Sequence, residues 1–217
     1  PHPRTVGAPQ KPKFQFCSGE VRPLPTPKPL PNIGISRILE ARRSGVGSTI
    51  TYEQLSDLLF HVFRRRRSGQ GRFGYSWEGR ASPSAGGLHV ISLLCIPMQR
   101  GEEAGLYDST SHCLHTCDNG DELIRENAES VARLTGASSG TTLQFLADSE
   151  LLAACYDNSD SLLWRDSGAV AATLGLVAAS LELSCVVLGR TGECLRLPGS
   201  FDALKPVGAV HLGSHRI

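Results

Sequence analysis

The sequence predicts an α+β fold, a sheet with flanking helices rather than a doubly wound sheet. Short apolar runs bounded by turn residues recur at 88–96, 141–147, 185–188 and 207–212, lengths that suit buried strands. Helical periodicity appears separately at 35–42, 51–63, 121–134 and 166–183. The two kinds of segment do not alternate as regular βαβ units, which is what separates α+β from α/β.

The elements follow in chain order. Residues 1–31 hold nine of the thirteen prolines. Alternating prolines from Pro23 to Pro31 remove backbone donors and fix φ, so residues 1–34 are predicted as an extended arm, neither helix nor central strand. Two readings stay open: a tail without fixed structure, or an arm wrapped on a partner subunit with Leu24 and Leu30 buried along it. A domain then runs from 35 to 217. Ile35, Ile38, Leu39 and Arg42 keep helical spacing until Ser44-Gly45. Thr51 with Gln54 has capping-box spacing, and Leu55, Leu58, Leu59, Val62 and Phe63 form the apolar stripe of the helix that follows. That helix ends in Arg64 to Arg67, and Ser68-Gly-Gln-Gly71 reads as a loop. After the 88–96 strand, Gly105-Leu-Tyr107 and Ser111 to Thr116 flank an Asp-Ser-Thr turn and predict a hairpin. The helix at 121–134 stops at Gly136. A further helical piece starts at Glu150, and the segment from Asp166, with Asp166 or Ser167 as its cap, is the strongest helix.

Composition excludes several classes. The 217 residues, 40% hydrophobic and 20% charged, suffice for one substantial core. A net charge of +1 provides no global field toward nucleic acid or a membrane surface. No run of about 18 apolar residues predicts a transmembrane helix, and the N-terminus lacks the apolar region of a leader. The seven cysteines are scattered, with Cys95, Cys155 and Cys185 inside apolar runs. This is the usage of reduced, buried thiols, so a cytoplasmic location is expected.

Three segments carry chemistry. In Ala41-Arg-Arg-Ser44, two guanidiniums beside a hydroxyl can fork a phosphate, although such a pair also suits a solvated helix end. Arg80-Ala-Ser-Pro-Ser-Ala-Gly-Gly-Leu88 opens directly into the apolar strand. Its small residues let a flat ligand approach the main chain, where consecutive amides can bond its polar edge. On the helix from Asp166, Ala171, Gly175, Ala178 and Ala179 line one face with small side chains, which permits a close helix crossing in the core or between subunits.

Together these segments resemble the nitroreductase superfamily of flavoproteins. The likeness rests on Arg42-Arg43-Ser44 before the Tyr52-Glu-Gln-Leu-Ser-Asp-Leu-Leu59 helix, the Pro83-Ser-Ala-Gly86 loop and the Gly105-Leu-Tyr107 hairpin. It continues through Asp166-Ser-Gly168 at a helix start and Gly208-Ala-Val-His-Leu-Gly213 in a last strand, all in family order from about 35 to 213. The loop and hairpin are most like the SagB-type thiazole/oxazole (azoline) dehydrogenases. The resemblance implies a central antiparallel sheet flanked by helices, an intertwined dimer and FMN at the subunit interface. Arg42, Arg43 and Ser44 would hold the phosphate and ribityl chain. The loop Pro83, Ser84, Ala85, Gly86 and Gly87 would lie along the isoalloxazine, with Arg80 as a further cofactor-binding residue. Leu188, Gly189 and Arg190 would approach from the far side, with Arg216 as a second phosphate contact. The implied activity is oxidation of azoline rings or related bonds in a peptide-derived substrate. Hydride passes to flavin N5, oxygen is the acceptor, and a cyclodehydratase-like partner works alongside.

Departures from that pattern keep other readings in view. Val46 stands where a second basic residue is common, and His89-Val-Ile-Ser92 replaces a Tyr-Pro-x-Glu stretch. Where the SagB-type branch has a Lys-Tyr pair, this chain has Cys155-Tyr156. Tyr156 is the expected proton-handling residue, yet a tyrosine with its ordinary pKa of about 10 is a poor base without a cation beside it. An NAD(P)H-dependent nitro or quinone reductase and a non-catalytic subunit of a heteromeric complex are the alternatives. His112-Cys-Leu-His-Thr-Cys117 matches no common zinc spacing, and strand alternation would split its ligands between faces, so no metal is expected. The arginines at 64–67 lack the interleaved aromatics of a nucleic-acid site. His89 follows the loop and is open to a place near the cofactor or in the core.

Overall fold

The structure, a computed structural model, describes residues 2–3, 19–99, 101–117, 120–197 and 199–214. Seven strands form one antiparallel sheet: β1 (Val21–Pro23), β4 (Ile91–Pro97), β5 (Gly105–Asp108), β6 (Cys113–Thr116), β7 (Thr141–Ala147), β8 (Leu183–Val187) and β9 (Lys205–Ser214). Their order is β1-β6-β5-β4-β7-β9-β8, with every pair antiparallel. The expected strands thus form, and β7 occupies the predicted residues.

Helices cover both faces. On one lie α2 (Tyr52–Phe63) and α5 (Asp160–Ser180), whose Leu58, Leu59, Val62, Leu163, Val170 and Leu174 pack on Leu93, Leu143, Phe145 and Val210 of the sheet. On the other lies α3 (Gly120–Thr135), with Leu123 and Ile124 against Leu94, Ile96, Leu106 and Leu146. Every residue of the predicted α2 stripe is buried, and the Thr51–Gln54 capping box closes in both directions. Two shorter helices, α1 (Ile35–Ala41) and α4 (Ser149–Cys155), complete the set, and α1 buries none of its own residues.

The part of the proline-rich segment described from 19 onward lies on this domain. Strand β1 pairs with β6 at the sheet edge, where Pro23 costs no central ladder bond. Leu24 enters the core, Ser56 Oγ donates to the Pro25 carbonyl (2.6 Å), and the Lys28 amide donates to Asp57 Oδ1 (2.7 Å).

Two expectations are corrected. Residues 68–71 are not a loop: β2 (Arg67–Gln70) pairs with β3 (Ser76–Gly79) in a separate hairpin. The alternation Phe73-Gly-Tyr75-Ser-Trp77 buries Phe73 and Tyr75, and that burial fixes the hairpin in place. The long helix also starts at Asp160, not at Asp166. Leu162 and Leu163 meet the core and extend the apolar stripe backward. Asp166 and Ser167 therefore lie inside α5 and cap nothing. Their side chains serve other partners.

Candidate functional site

The loop between β3 and β4 is held by α5. Ser84 Oγ donates to Asp166 Oδ2 at 2.7 Å, and the Ala85 amide lies 3.1 Å from both carboxylate oxygens. The His89 amide donates back to Ser84 Oγ (2.9 Å), closing the loop on itself. Between these bonds the backbone takes positive φ at Gly86 (60°), Gly87 (66°) and His89 (47°). Glycine adopts this region freely; for His89 it is strained conformation of the kind that functional loops hold. Asp166 is buried, and burial raises its carboxyl pKa above the ordinary range, opposed by the bonds from Ser84 and Ala85.

Tyr156, the C-cap of α4, sits over this loop. A Cβ placed on Gly86 would come 2.7 Å from the Tyr156 hydroxyl and 3.3 Å from the Phe73 ring. Phe73 packs edge-on to Tyr156, with ring centroids 5.1 Å apart. Burial raises the Tyr156 phenol pKa further, Cys155 and Asp166 act in the same direction, and Arg72 opposes them. Tyr156 is therefore a protonated phenol at neutral pH.

Arg80 and His89 share one partner strand. Arg80 Nε and Nη2 both donate to Glu78 Oε2 (2.9 and 2.6 Å), and His89 Nε2 donates to the Glu78 carbonyl (2.8 Å). Arg80 is thus committed to an ion pair that holds the loop's entrance. Glu78 and Phe73 were missed with the β2–β3 hairpin. The aromatic alternation at 73–77 was the signal that could have found them.

The other expected residues lie elsewhere. Arg42, Arg43 and Ser44 are exposed where α1 ends on the C-terminal half of α5. Arg42 and Arg43 line a cavity of about 220 Å³ with Gly175, Ala179, Glu182 and Cys185. The small-residue face of α5 thus admits α1, with Arg42 Cδ 3.9 Å from where a Gly175 Cβ would stand. From Asp166 to Gly175 and Ala179 the helix rises roughly 14–20 Å. The cavity that the arginine pair lines does not include the 83–87 loop, and the cavity lined by Pro83 and Ser84 does not include the arginines. Leu188 is buried with Val131, Ala137 and Ala209 on the α3 face, and Arg190 Nη2 donates to Asn127 Oδ1 (2.6 Å). Of that trio only Gly189 is exposed. Arg216 lies outside the described residues.

No protein-family model matches the sequence, and no curated protein matches it. Solved structures do. The chain aligns over 100% of its length and 99% of the other chain with a protein designated a nitroreductase from Ralstonia eutropha JMP134, at 21% identity and a TM-score of 0.66. It is similar to a chain of the Escherichia coli microcin synthetase McbBCD complex with truncated pro-MccB17 bound. That match has 18% identity and a TM-score of 0.61, covering 97% of this chain and 84% of the other. A protein designated a nitroreductase from Desulfovibrio desulfuricans, solved in complex with FMN, matches at 14% identity and a TM-score of 0.52 over 86% and 89%. The chain therefore has the nitroreductase fold.

Proposed function

We propose that the chain is an FMN-dependent oxidoreductase of peptide modification, a dehydrogenase that oxidises azoline rings in a peptide-derived substrate. The observation that carries this reading is the Pro83–Gly87 loop. Asp166 pins it, positive φ at two glycines opens its backbone, and Tyr156 overhangs it. Support also comes from the fold, shared with a protein solved in complex with FMN and with a chain of a microcin synthetase complex.

The donor set has the chemistry that FMN requires. Arg42, Arg43 and Ser44 are exposed, and two guanidiniums with a hydroxyl suit a phosphate. The loop from Pro83 to Gly87 would lie along the ring system, with Gly189 and Arg216 as further contacts. A second copy or a cyclodehydratase-like partner would complete each site. The apolar side chains of Ile35 and Leu39 on α1, and of Val187 on the edge strand β8, are all more than half exposed and available for such a contact.

Bound FMN supplies the hydride chemistry. The chain's own part is to orient the substrate. Azoline oxidation releases a proton, which a phenol cannot take up and which leaves to solvent; Tyr156 donates a hydrogen bond to a substrate heteroatom beside the loop. That protonation state favours a second reading, an NAD(P)H-dependent reductase of nitro or quinone compounds, in which proton donation is the required step.

The test is a visible absorption spectrum of the purified chain, alone, with added FMN and with any co-encoded partner. Bound-flavin absorption supports the cofactor assignment, and its absence in all three states overturns it. Anaerobic bleaching by an azoline peptide selects the dehydrogenase, whereas bleaching by NAD(P)H selects the reductase.

A further inference from the structure

The β5–β6 hairpin carries a second cluster, on the opposite face of the sheet from the loop site. Cys113 and His115 flank Leu114, and Asp108 follows Tyr107. Leu114 and Tyr107 both enter the core beneath α2 and α5, so the other three side chains project from the α3 face. Asp108 and Cys113 are directly paired across the two strands. The alternation expected from sequence does occur. His112 is turned away, with Nε2 2.8 Å from Ser56 Oγ and Nδ1 2.9 Å from the Tyr107 hydroxyl. Alternation nevertheless gathers ligands here, because the neighbouring strand provides the third.

We propose that Asp108, Cys113 and His115 form a binding site for a divalent, borderline-soft metal ion of the zinc class. Cys113 Sγ lies 3.6 Å from His115 Nε2, which is 3.9 Å from Asp108 Oδ2, and all three ligand atoms fall within 4.8 Å of one another. Tetrahedral zinc with bonds of about 2.0–2.3 Å separates its ligands by roughly 3.3–3.8 Å, so small side-chain shifts suffice. A thiolate, a carboxylate and a neutral imidazole carry the two negative charges that balance a divalent ion, and a mixed S, N, O set selects zinc or cobalt over magnesium or calcium.

The surroundings fit a metal centre. Ser111 Oγ donates to Asp108 Oδ2 (2.6 Å) and the Thr110 amide to Oδ1 (2.7 Å), which fixes the carboxylate as outer-shell donors do. Ser111 Oγ is also 2.9 Å from Cys113 Sγ. Cys113 is buried, but the His115 side chain is 19% exposed, which gives an ion a way in. Three protein ligands leave the fourth position to solvent, the coordination of an open site rather than a closed structural one.

Cobalt reports thiolate ligation directly. The full chain, reduced and freed of metal, is titrated with Co²⁺ and then back-titrated with Zn²⁺, with no flavin added, so the result does not depend on the proposed oxidoreductase activity. The expected result is stoichiometric binding with a sulfur-to-cobalt charge-transfer band that Zn²⁺ abolishes. Replacing the exposed Cys194 with serine should preserve the band. Cys113→Ser should remove it, and His115→Gln and Asp108→Asn should each weaken affinity by about tenfold or more. Should Cys113→Ser misfold by circular dichroism, the partly exposed His115→Gln still decides. No band in the wild-type chain, or a band with unchanged affinity in His115→Gln, overturns the assignment.

Discussion

Ser84 and Asp166 are joined by a 2.7 Å hydrogen bond that ties the loop before β4 to the second turn of α5. The same carboxylate accepts the Ala85 amide, so one buried side chain satisfies two loop donors. Asp166→Ala strands both donors in a half-buried setting and should destabilise the protein by about 1–2 kcal/mol. Asp166→Asn keeps one acceptor oxygen and should cost less. Urea unfolding ranks the three proteins, and an alanine variant as stable as wild type would show that the bond does not hold the loop. Flavin retention, if FMN binds, should fall in the same order.

Gly86 combines a φ of 60° with a tyrosine hydroxyl 2.7 Å from where a Cβ would stand. Gly86→Ala should therefore cost about 1–2 kcal/mol from backbone conformation alone, with the contact added. Tyr156→Phe in the same chain removes the contact and leaves the conformational part. A double-mutant cycle should show partial rescue, on the order of 0.5–1 kcal/mol. Full rescue would assign the whole cost to the hydroxyl, and none would remove Tyr156 from the loop's packing.

Local signals were the legible ones. The α2 stripe, the Thr51–Gln54 box and the 141–147 strand follow from periodicity and capping chemistry within a few residues. So does the Asp108 turn, whose carboxylate takes the Thr110 amide. What escaped depends on partners far along the chain. Asp166 has the composition of a helix cap, and only the packing of Leu163 shows that the helix has already begun. Arg190 is expected to approach the flavin, and its bond to Asn127 depends on α3, far along the chain. Cys113 and His115 become a cluster only through the register that sets Asp108 beside them. Asp166 was misplaced because its carboxylate had two partners within reach, a local helix end and a distant loop, and burial chose the distant one.

The capping box at α2 has a simple test. Thr51 Oγ1 accepts the Gln54 amide at 3.2 Å, and Gln54 Oε1 accepts the Thr51 amide at 2.9 Å. Thr51→Ala should cost about 1 kcal/mol, and Thr51→Ser close to nothing, because serine restores the acceptor. Thermal unfolding distinguishes them. Equal loss in both variants would mean that the threonine methyl group, not the hydroxyl, matters there.

His211 should make the fold acid-sensitive. It is fully buried at the end of a polar chain: Arg190 donates to Asn127, Asn127 Nδ2 donates to Thr142 Oγ1 (3.0 Å), and Thr142 Oγ1 lies 3.1 Å from His211 Nδ1. His211 Nε2 donates to the Ser139 carbonyl (3.0 Å), so Nδ1 is left to accept from the Thr142 hydroxyl. Burial lowers the imidazole pKa, the Ser139 bond opposes it and Arg190 lowers it further. The unfolded chain therefore binds this proton more readily than the folded protein. The histidine's contribution is intact above the unfolded value of about 6.5 and is lost as pH falls from there through the folded pKa. The loss should approach about 1.4 kcal/mol per pH unit within that window. His211→Gln cannot take up the proton, so its urea-unfolding free energy should flatten between about pH 7 and 5 relative to wild type. Parallel curves for the two proteins would show that His211 titrates alike in both states and that the buried chain tolerates its charge.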